Sequence, residues 1–313
     1  MAPRGTASHL LALDWGTTAF RAALMTADGT ILRQVSTADG ILSVADRGFE
    51  AVLQQHCGEW LQALPDTLIL AAGMVGSRQG WHEAPYVACP AGFKEIAAKV
   101  LWPQDTRRLG FVPGLQVEHP NGAPDVMRGE EVQIFGLMNS LTLSDGIFVL
   151  PGTHSKWAIA QNRQVQRFHT FMTGEVFALA KHHSILGRTM PPGAETGWPL
   201  HRQAFEEGCA ASREGCLLHL MFTTRSRGLF GQLSSEAQPE YLSGLLIGEE
   251  IREALSMLGA DARGASVHLI CSPALRERYE AALRIFGIGT LPPVENASFN
   301  GLLAIARENA WVA

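Results

Sequence analysis

Two short stretches of this sequence gather the residue types that hold anions. Asp14-Trp15-Gly16-Thr17-Thr18 and Pro151-Gly152-Thr153-His154-Ser155-Lys156 each set glycine and hydroxyl side chains between two apolar runs, and the second adds an imidazole and an ammonium. A strand-to-strand turn of this kind offers backbone N–H groups and hydroxyls at its tip, which suits a phosphate. Either turn alone reads as an ordinary Gly/Thr turn; together they can hold the phosphates of one nucleotide from two sides. Neither is a Walker loop, because G-x-x-x-x-G-K-[ST] is absent and Lys156 leads into strand-like residues; G-x-G-x-x-G is absent as well. Lys156 stands out because the other lysines are only Lys94, Lys99 and Lys181; its alternative role is an exposed lysine at a strand start. His154 either donates to phosphate or caps its own turn. A serine hydrolase built on Ser155 and His154 fails on geometry, since neighbours on a strand point to opposite faces and no G-x-S-x-G elbow is present.

A third stretch, Gly73-Met74-Val75-Gly76-Ser77-Arg78-Gln79-Gly80-Trp81, is too rich in glycine for an element interior and reads as a loop that touches a ligand. Three acidic positions compete for chemistry: Asp14, Asp125 and Glu130. The plain alternative for Glu130 is a helix N-terminal carboxylate favoured by the macrodipole.

The elements that must position these groups follow from periodicity. Apolar runs at 9–13, 19–25 and 30–36, the last two separated by Asp28-Gly29, predict a three-stranded meander whose first link is the Asp14 turn. Phe49, Val52, Leu53, Trp60, Leu61 and Leu64 fall at helical spacing up to Pro65, and a strand follows at 68–72. A helical segment at 129–141 precedes a strand at 147–150, and strand-like alternation resumes after Lys156, so the second turn is also a hairpin tip. Helices are expected at 173–186, 202–222 and 240–258. A strand at 267–271 then meets a helix with Ser272 as N-cap, Pro273 in its first turn and Gly287 after its last, and a final helix covers 298–309.

At 313 residues the chain suits two domains, here divided at 1–140 and 141–313. Hydrophobic residues at 46% and charged residues at 18% fit a packed globular protein. A formal net charge of −5 gives no general attraction to nucleic acid or to an anionic membrane, so neither is an expected partner. The five cysteines are scattered without a C-x-x-C pair and read as reduced, mostly buried thiols. No apolar run approaches the roughly 20 residues of a membrane span. The polar stretch 1–8 runs into a core strand rather than a signal sequence, so the cytoplasm is the expected location.

The order of these parts resembles that of actin-like kinases: a first phosphate hairpin (14–18), a connecting helix (129–139), a second phosphate hairpin (150–156), an adenosine-binding strand and helix (267–283) and a second connecting helix (298–308). Gly136 and Gly301 lie inside the two proposed connecting helices, where small residues let helices cross closely. The stretches DWGTTAFRA from Asp14, GMVGSRQGWHEAPY from Gly73, DVMRGEEVQIFG from Asp125, LPGTHSKW from Leu150, FMTGEVFALAKHHSILG from Phe171 and YLSGLLIGEE from Tyr241 are similar to those of the 2-dehydro-3-deoxygalactonokinase family. They are spread over nearly the whole chain.

That resemblance implies an α/β fold of two actin-like (ribonuclease H-like) domains with a nucleotide and substrate cleft between them. It implies ATP and Mg²⁺ as cofactors and phosphorylation of the 6-hydroxyl of a 2-oxo-3-deoxy sugar acid in galactonate catabolism, with a small-molecule sugar acid as partner and oligomeric state left open. Glu130 matches the position of the catalytic carboxylate, with Asp125 as runner-up, and Asp14 would hold magnesium through water. Phosphate and nucleotide would be held by Asp14, Gly16, Thr17, Thr18, Gly152, Thr153, His154, Ser155, Lys156, Cys271 and Ser272. Cys271 stands where the superfamily usually has glycine, and its side chain would crowd the purine. The sugar acid would meet Arg21, Gly76, Ser77, Arg78, Trp81 and Tyr86, with Arg78 clamping the carboxylate and the two aromatics readable instead as interior anchors. The rivals are a kinase of another sugar or sugar acid, which would not need Arg78 if its substrate were neutral, and an actin-like ATPase or sensor with no metabolite to phosphorylate.

Overall fold

The computed structural model describes residues 5–44, 47–104, 108–192, 197–259 and 264–313. Its elements, in chain order, begin with the expected meander, β1 (His9–Trp15), β2 (Phe20–Thr26) and β3 (Ile31–Thr37), then α1 (Phe49–Ala63) and β4 (Leu68–Ala72). Short pieces follow: β5 (Tyr86–Ala88), β6 (Ala91–Gly92), α2 (Phe93–Ala97), β7 (Leu109–Phe111), β8 (Gly114–Glu118) and β9 (Pro124–Met127), leading into α3 (Glu130–Ser140). Next are β10 (Gly146–Leu150), β11 (Ser155–Gln161), β12 (Gln164–Phe171), α4 (Thr173–His183), α5 (Arg202–Ser212), α6 (Leu217–Leu229) and α7 (Gln238–Leu258). The chain ends with β13 (Ser266–Leu269), α8 (Pro273–Ile285), β14 (Gly289–Leu291) and α9 (Ala297–Glu308).

The chain forms two compact units that are not consecutive in sequence. The first comprises Met1–Gly146, Ile159–Phe168 and Val294–Ala313, the second Ile147–Ala158 and His169–Pro293. The last 20 residues therefore group with the first unit, beyond a simple division near residue 140.

In the first unit the main sheet runs β3-β2-β1-β4-β7, antiparallel within the meander and parallel across β1, β4 and β7. Alternation along β1 sorts its side chains between the two faces. Leu11, Leu13 and Trp15 pack with Val52, Leu53 and Cys57 of α1, while α9 packs against β1 and β4. A second, three-stranded sheet, β5-β8-β9, delivers the chain to the start of α3. Helices α3 and α9 pack together with almost no side chain between them: a methyl group on Gly136 would lie 1.8 Å from the carbonyl oxygen of Ala297, and one on Gly301 would lie 1.9 Å from that of Val132. The expected close crossing of these helices is present.

In the second unit β14, β13 and β10 are parallel neighbours, with β11 on the other side of β10. Helix α7 is buried along most of its length and packs tightly on α5. The single helix expected at 202–222 is two helices. Gly215 and Cys216 both take positive φ (80° and 66°), which ends α5 and starts α6 in a new direction. All five cysteines are free, but only Cys57 and Cys209 are buried; Cys216 is exposed.

Candidate active site

The first hairpin owes its shape to its neighbours in the chain. Gly16 N–H donates to Ala19 O at 2.9 Å and closes the turn, which leaves Thr17 and Thr18 exposed at the tip. The segment after β3 then latches it: Ile41 N–H donates to Gly16 O (3.0 Å), Leu42 N–H to Thr17 O (3.2 Å), and Trp15 Nε1 to Asp39 O (2.7 Å). Asp14 is 6% exposed, with its carboxylate on the α9 face, where it accepts a bond from Ser298 Oγ at 2.5 Å. Register places Arg21 directly across from Asp14, and its guanidinium pairs with the carboxylate at 2.8 Å. Arg21 thus neutralises Asp14 while 48% of its side chain stays exposed.

The end of β4 brings the start of α3 to the same place. Gly73 has φ +92°, and a methyl group on it would lie 2.9 Å from Trp15 O; one on Gly129 would lie 3.1 Å from Gly73 Cα. Only a glycine pair lets the chain after β1, the chain after β4 and the α3 N-terminus meet so closely. Ligands in open α/β sheets bind at such strand ends.

Two carboxylates open α3 and behave differently. Glu130 is half-buried and accepts the backbone N–H of Arg128 at 3.0 Å. Glu131 is fully buried, accepts the Gly129 N–H on both oxygens (2.9 and 2.7 Å), and has its pKa raised to about 8 by burial and then by the neighbouring Glu130 charge. Asp125 lies in β9 and pairs with His119 at 3.5 Å beside the turn joining β8 and β9.

In the loop after β4, Arg78 is exposed and meets no hydrogen-bond or ion-pair partner among the described residues. Ser77 Oγ is buried without a partner. Trp81 is an interior anchor: it stacks on Phe49 with ring centroids 5.9 Å apart and meets Trp15 and Phe111 edge-on. Tyr86 stays at the surface with the Arg128 guanidinium 4.3 Å over its ring.

The second hairpin stands on a buried carboxylate supplied from α7. Glu250 is 2% exposed; Oε1 accepts from Ser155 Oγ (2.7 Å) and Trp157 Nε1 (2.8 Å), and Oε2 accepts from Tyr279 OH (2.7 Å). Burial raises its pKa, and bonds from Thr173, Trp157, Ser155 and Tyr279 oppose the rise. One carboxylate thereby ties together the foot of the hairpin, the first turn of α4 and the middle of α8. The N-terminus of α4 braces the tip: Glu175 N–H donates to Thr153 O (3.1 Å), and the Glu175 carboxylate pairs with His154 Nε2. Thr153 and His154 are exposed, whereas Ser155 and Lys156 are buried, so the Ser155 hydroxyl is an internal anchor rather than a phosphate donor and Lys156 is not an exposed strand-start lysine. Lys156 Nζ reaches back to His154 O at 3.3 Å.

Beside this hairpin lies a mostly apolar cavity of about 250 Å³, lined by Gly152, Thr173 and Gly174, by Phe177, by Ser243, Leu246 and Ile247, and by Ala274, Leu275, Arg278 and Tyr279 of α8. Cys271 and Ser272 are not among its lining residues. Burial raises the Cys271 pKa to about 11. A broader depression of about 430 Å³, lined by Lys181, His182, His183 and Arg188, includes no residue of either hairpin.

The 2-keto-3-deoxy-galactonokinase family model matches residues 14–305. The chain belongs to that family. It is 36% identical to a Rhizobium meliloti protein named probable 2-dehydro-3-deoxygalactonokinase, over 96% of this chain and 98% of that one. It is 34% identical to the 2-dehydro-3-deoxygalactonokinase of Escherichia coli, with the same coverage. A solved structure of a Sinorhizobium meliloti protein assigned as that enzyme superposes with a TM-score of 0.87 at 34% identity, covering 96% of this chain and 99% of that one. At 12% identity, an activator of 2-hydroxyisocaproyl-CoA dehydratase from Clostridium difficile, solved with ADPNP, shares the fold with a TM-score of 0.50 over 96% and 94% of the two chains. The fold is that of actin-like ATPases and sugar kinases.

Within this family's frame, residue spacing located both hairpins and the start of α3 but not their supports. Ser298, Glu175, Glu250 and Arg128 escaped attention. Glu250 had a visible signal, as one of two adjacent acidic residues, with Glu249, that follow the mostly apolar stretch 241–248 of α7. Arg128 had a weaker one, an arginine immediately before the glycine that opens α3.

Proposed function

We propose that the chain transfers the γ-phosphoryl group of ATP to the terminal 6-hydroxyl of 2-dehydro-3-deoxy-D-galactonate, an acid of galactonate catabolism. The observation that carries this reading is the family match across residues 14–305, which spans both hairpins and the α3 carboxylates. The cavity beside Gly152 supports placing the nucleoside in the second unit, with Gly152, Thr153 and His154 presenting donors to the phosphates. The first unit would take the sugar acid, through residues 76–86 and Arg78.

Glu130 is the proposed base. A primary hydroxyl is a poor nucleophile near neutral pH, and a half-buried carboxylate at its side orients it and accepts its proton as the bond to phosphorus forms. The exposed hydroxyls of Thr17 and Thr18 and the backbone of the first hairpin would hold phosphate oxygens. Magnesium, when bound with ATP, neutralises phosphate charge. Among the described residues no three His, Cys, Asp or Glu side chains gather as a metal cluster, which fits an ion held mainly by nucleotide oxygens and waters, with Asp14 as the protein carboxylate behind a water. The cytoplasm, where ATP is abundant, is the proposed location.

The test is product analysis by ³¹P NMR after incubation with ATP, magnesium and the acid. The reading predicts ADP and a monophosphate ester whose phosphorus couples to the C6 protons. ATP hydrolysis without a phosphorylated acid would favour the ATPase reading and overturn this one.

A further inference from the structure

The described residues bury two arginines to a similar depth, and only one is neutralised. Arg278, 6% exposed, has its Nε and Nη2 paired with the two oxygens of Glu240 at 3.2 and 3.0 Å. Arg128, 8% exposed, has no carboxylate partner among the described residues. Its Nη2 donates to the carbonyl oxygens of Ala84 (2.8 Å) and Pro85 (3.5 Å), while Nε and Nη1 are buried with no partner. The adjacent Glu130 and Glu131 bond to backbone N–H groups, and although the Arg128 charge acts on Glu131, neither carboxylate forms an ion pair with the guanidinium.

A buried guanidinium lacking its anion is unfavourable unless a ligand supplies one. The surroundings hold the guanidinium in a fixed orientation. Tyr86 fixes the guanidinium plane by stacking, and a methyl group on Gly76 would come within 3.2 Å of Nη1. Ser77 Oγ and His82 Nε2, in the same loop, are also buried and unpaired; with the two Arg128 nitrogens they make four of the eight such atoms among the described residues. We propose that Arg128 is the carboxylate anchor of the sugar-acid site and the residue that makes the enzyme select an acid over a neutral sugar. The inference rests on the sugar-acid reading above. Because Nη1 is covered, the carboxylate enters by displacing the partly exposed Tyr86 ring, and it then takes charge-assisted bonds from a donor already held in place.

The test compares wild type, Arg128→Met and Arg128→Lys on the 2-oxo-3-deoxy acid and on the same compound with a primary amide in place of its carboxylate. Wild type is expected to prefer the acid. Arg128→Met should raise KM for the acid on the order of 10- to 100-fold, erase the preference over the amide, and leave KM for ATP within about twofold. Arg128→Lys should show the same changes at smaller size, and it decides the matter if the Met variant does not fold. An unchanged acid KM in a folded variant, or equal losses on acid and amide, would overturn the anchor role. A wild-type enzyme inactive on the acid would instead remove the sugar-acid reading, and the anchor with it.

Discussion

The hairpin at residues 14–18 carries its own carboxylate and is latched by the segment that follows β3, whereas the hairpin at 150–156 has no acid of its own and stands on Glu250, some 95 residues away in sequence. The first keeps its carboxylate covered, tied to Arg21 and Ser298, and puts the exposed hydroxyls of Thr17 and Thr18 at its tip. The second can present only donors, and their placement depends on a packed network reaching into α4 and α8. Under the function proposed above, two turns of similar composition would serve different parts of a phosphoryl transfer, the second at the nucleotide.

The comparison breaks most visibly at Glu250. Glu250→Ala strands four buried donors and should lower stability by about 3–5 kcal/mol, measurable by denaturant unfolding. Glu250→Gln keeps the volume; it should raise KM for ATP roughly tenfold while leaving KM for the acid near wild type. A rise confined to the acid would show that the second hairpin does not serve the nucleotide.

The first unit has its own buried carboxylate, and pH exposes it. Glu131 has a folded pKa of about 8 against 4.5 for an ordinary glutamate, so the folded state holds a proton that the unfolded chain releases. Stability should fall as pH rises from about 4.5 to about 8 and level off above, by up to about 5 kcal/mol. Glu131→Gln should flatten that part of the curve, seen as the difference between wild type and variant in unfolding free energy at pH 5 and pH 8.5. Parallel curves would mean that Glu131 is ionised throughout.

Glu130→Gln should lower kcat by roughly 10²-fold with KM for ATP unchanged, because the amide keeps one hydrogen bond but cannot accept the proton. If Asp125→Asn is the inactive variant instead, the base lies in β9. The smallest effect is expected at Arg78→Ala. An exposed, unconstrained guanidinium contributes modestly, so KM for the acid should rise only about three- to tenfold with kcat preserved.

The parts that were legible in sequence are those with local signals. The meander, α1, β4, α3 and α9 announce themselves by period and by flanking glycine or proline, and both tips by composition. Strands of two or three residues such as β5, β6, β7 and β14 hold too few positions for a period to register, and they appear only through pairing with distant partners. The break between α5 and α6 hid because Cys216 gives no sign of a left-handed backbone. The supports of the site were faint for the same reason as the short strands: Ser298 meets Asp14 across 284 residues, and Arg128 resembles any basic residue until burial leaves two of its nitrogens unpaired.

The most direct test is a coupled assay of ADP release with ATP and magnesium across a panel of 2-oxo-3-deoxy sugar acids and neutral sugars. The account predicts release that depends on the acid, is highest with 2-dehydro-3-deoxy-D-galactonate and is negligible with neutral sugars. Folded protein that releases ADP at the same rate with and without the acid would contradict it.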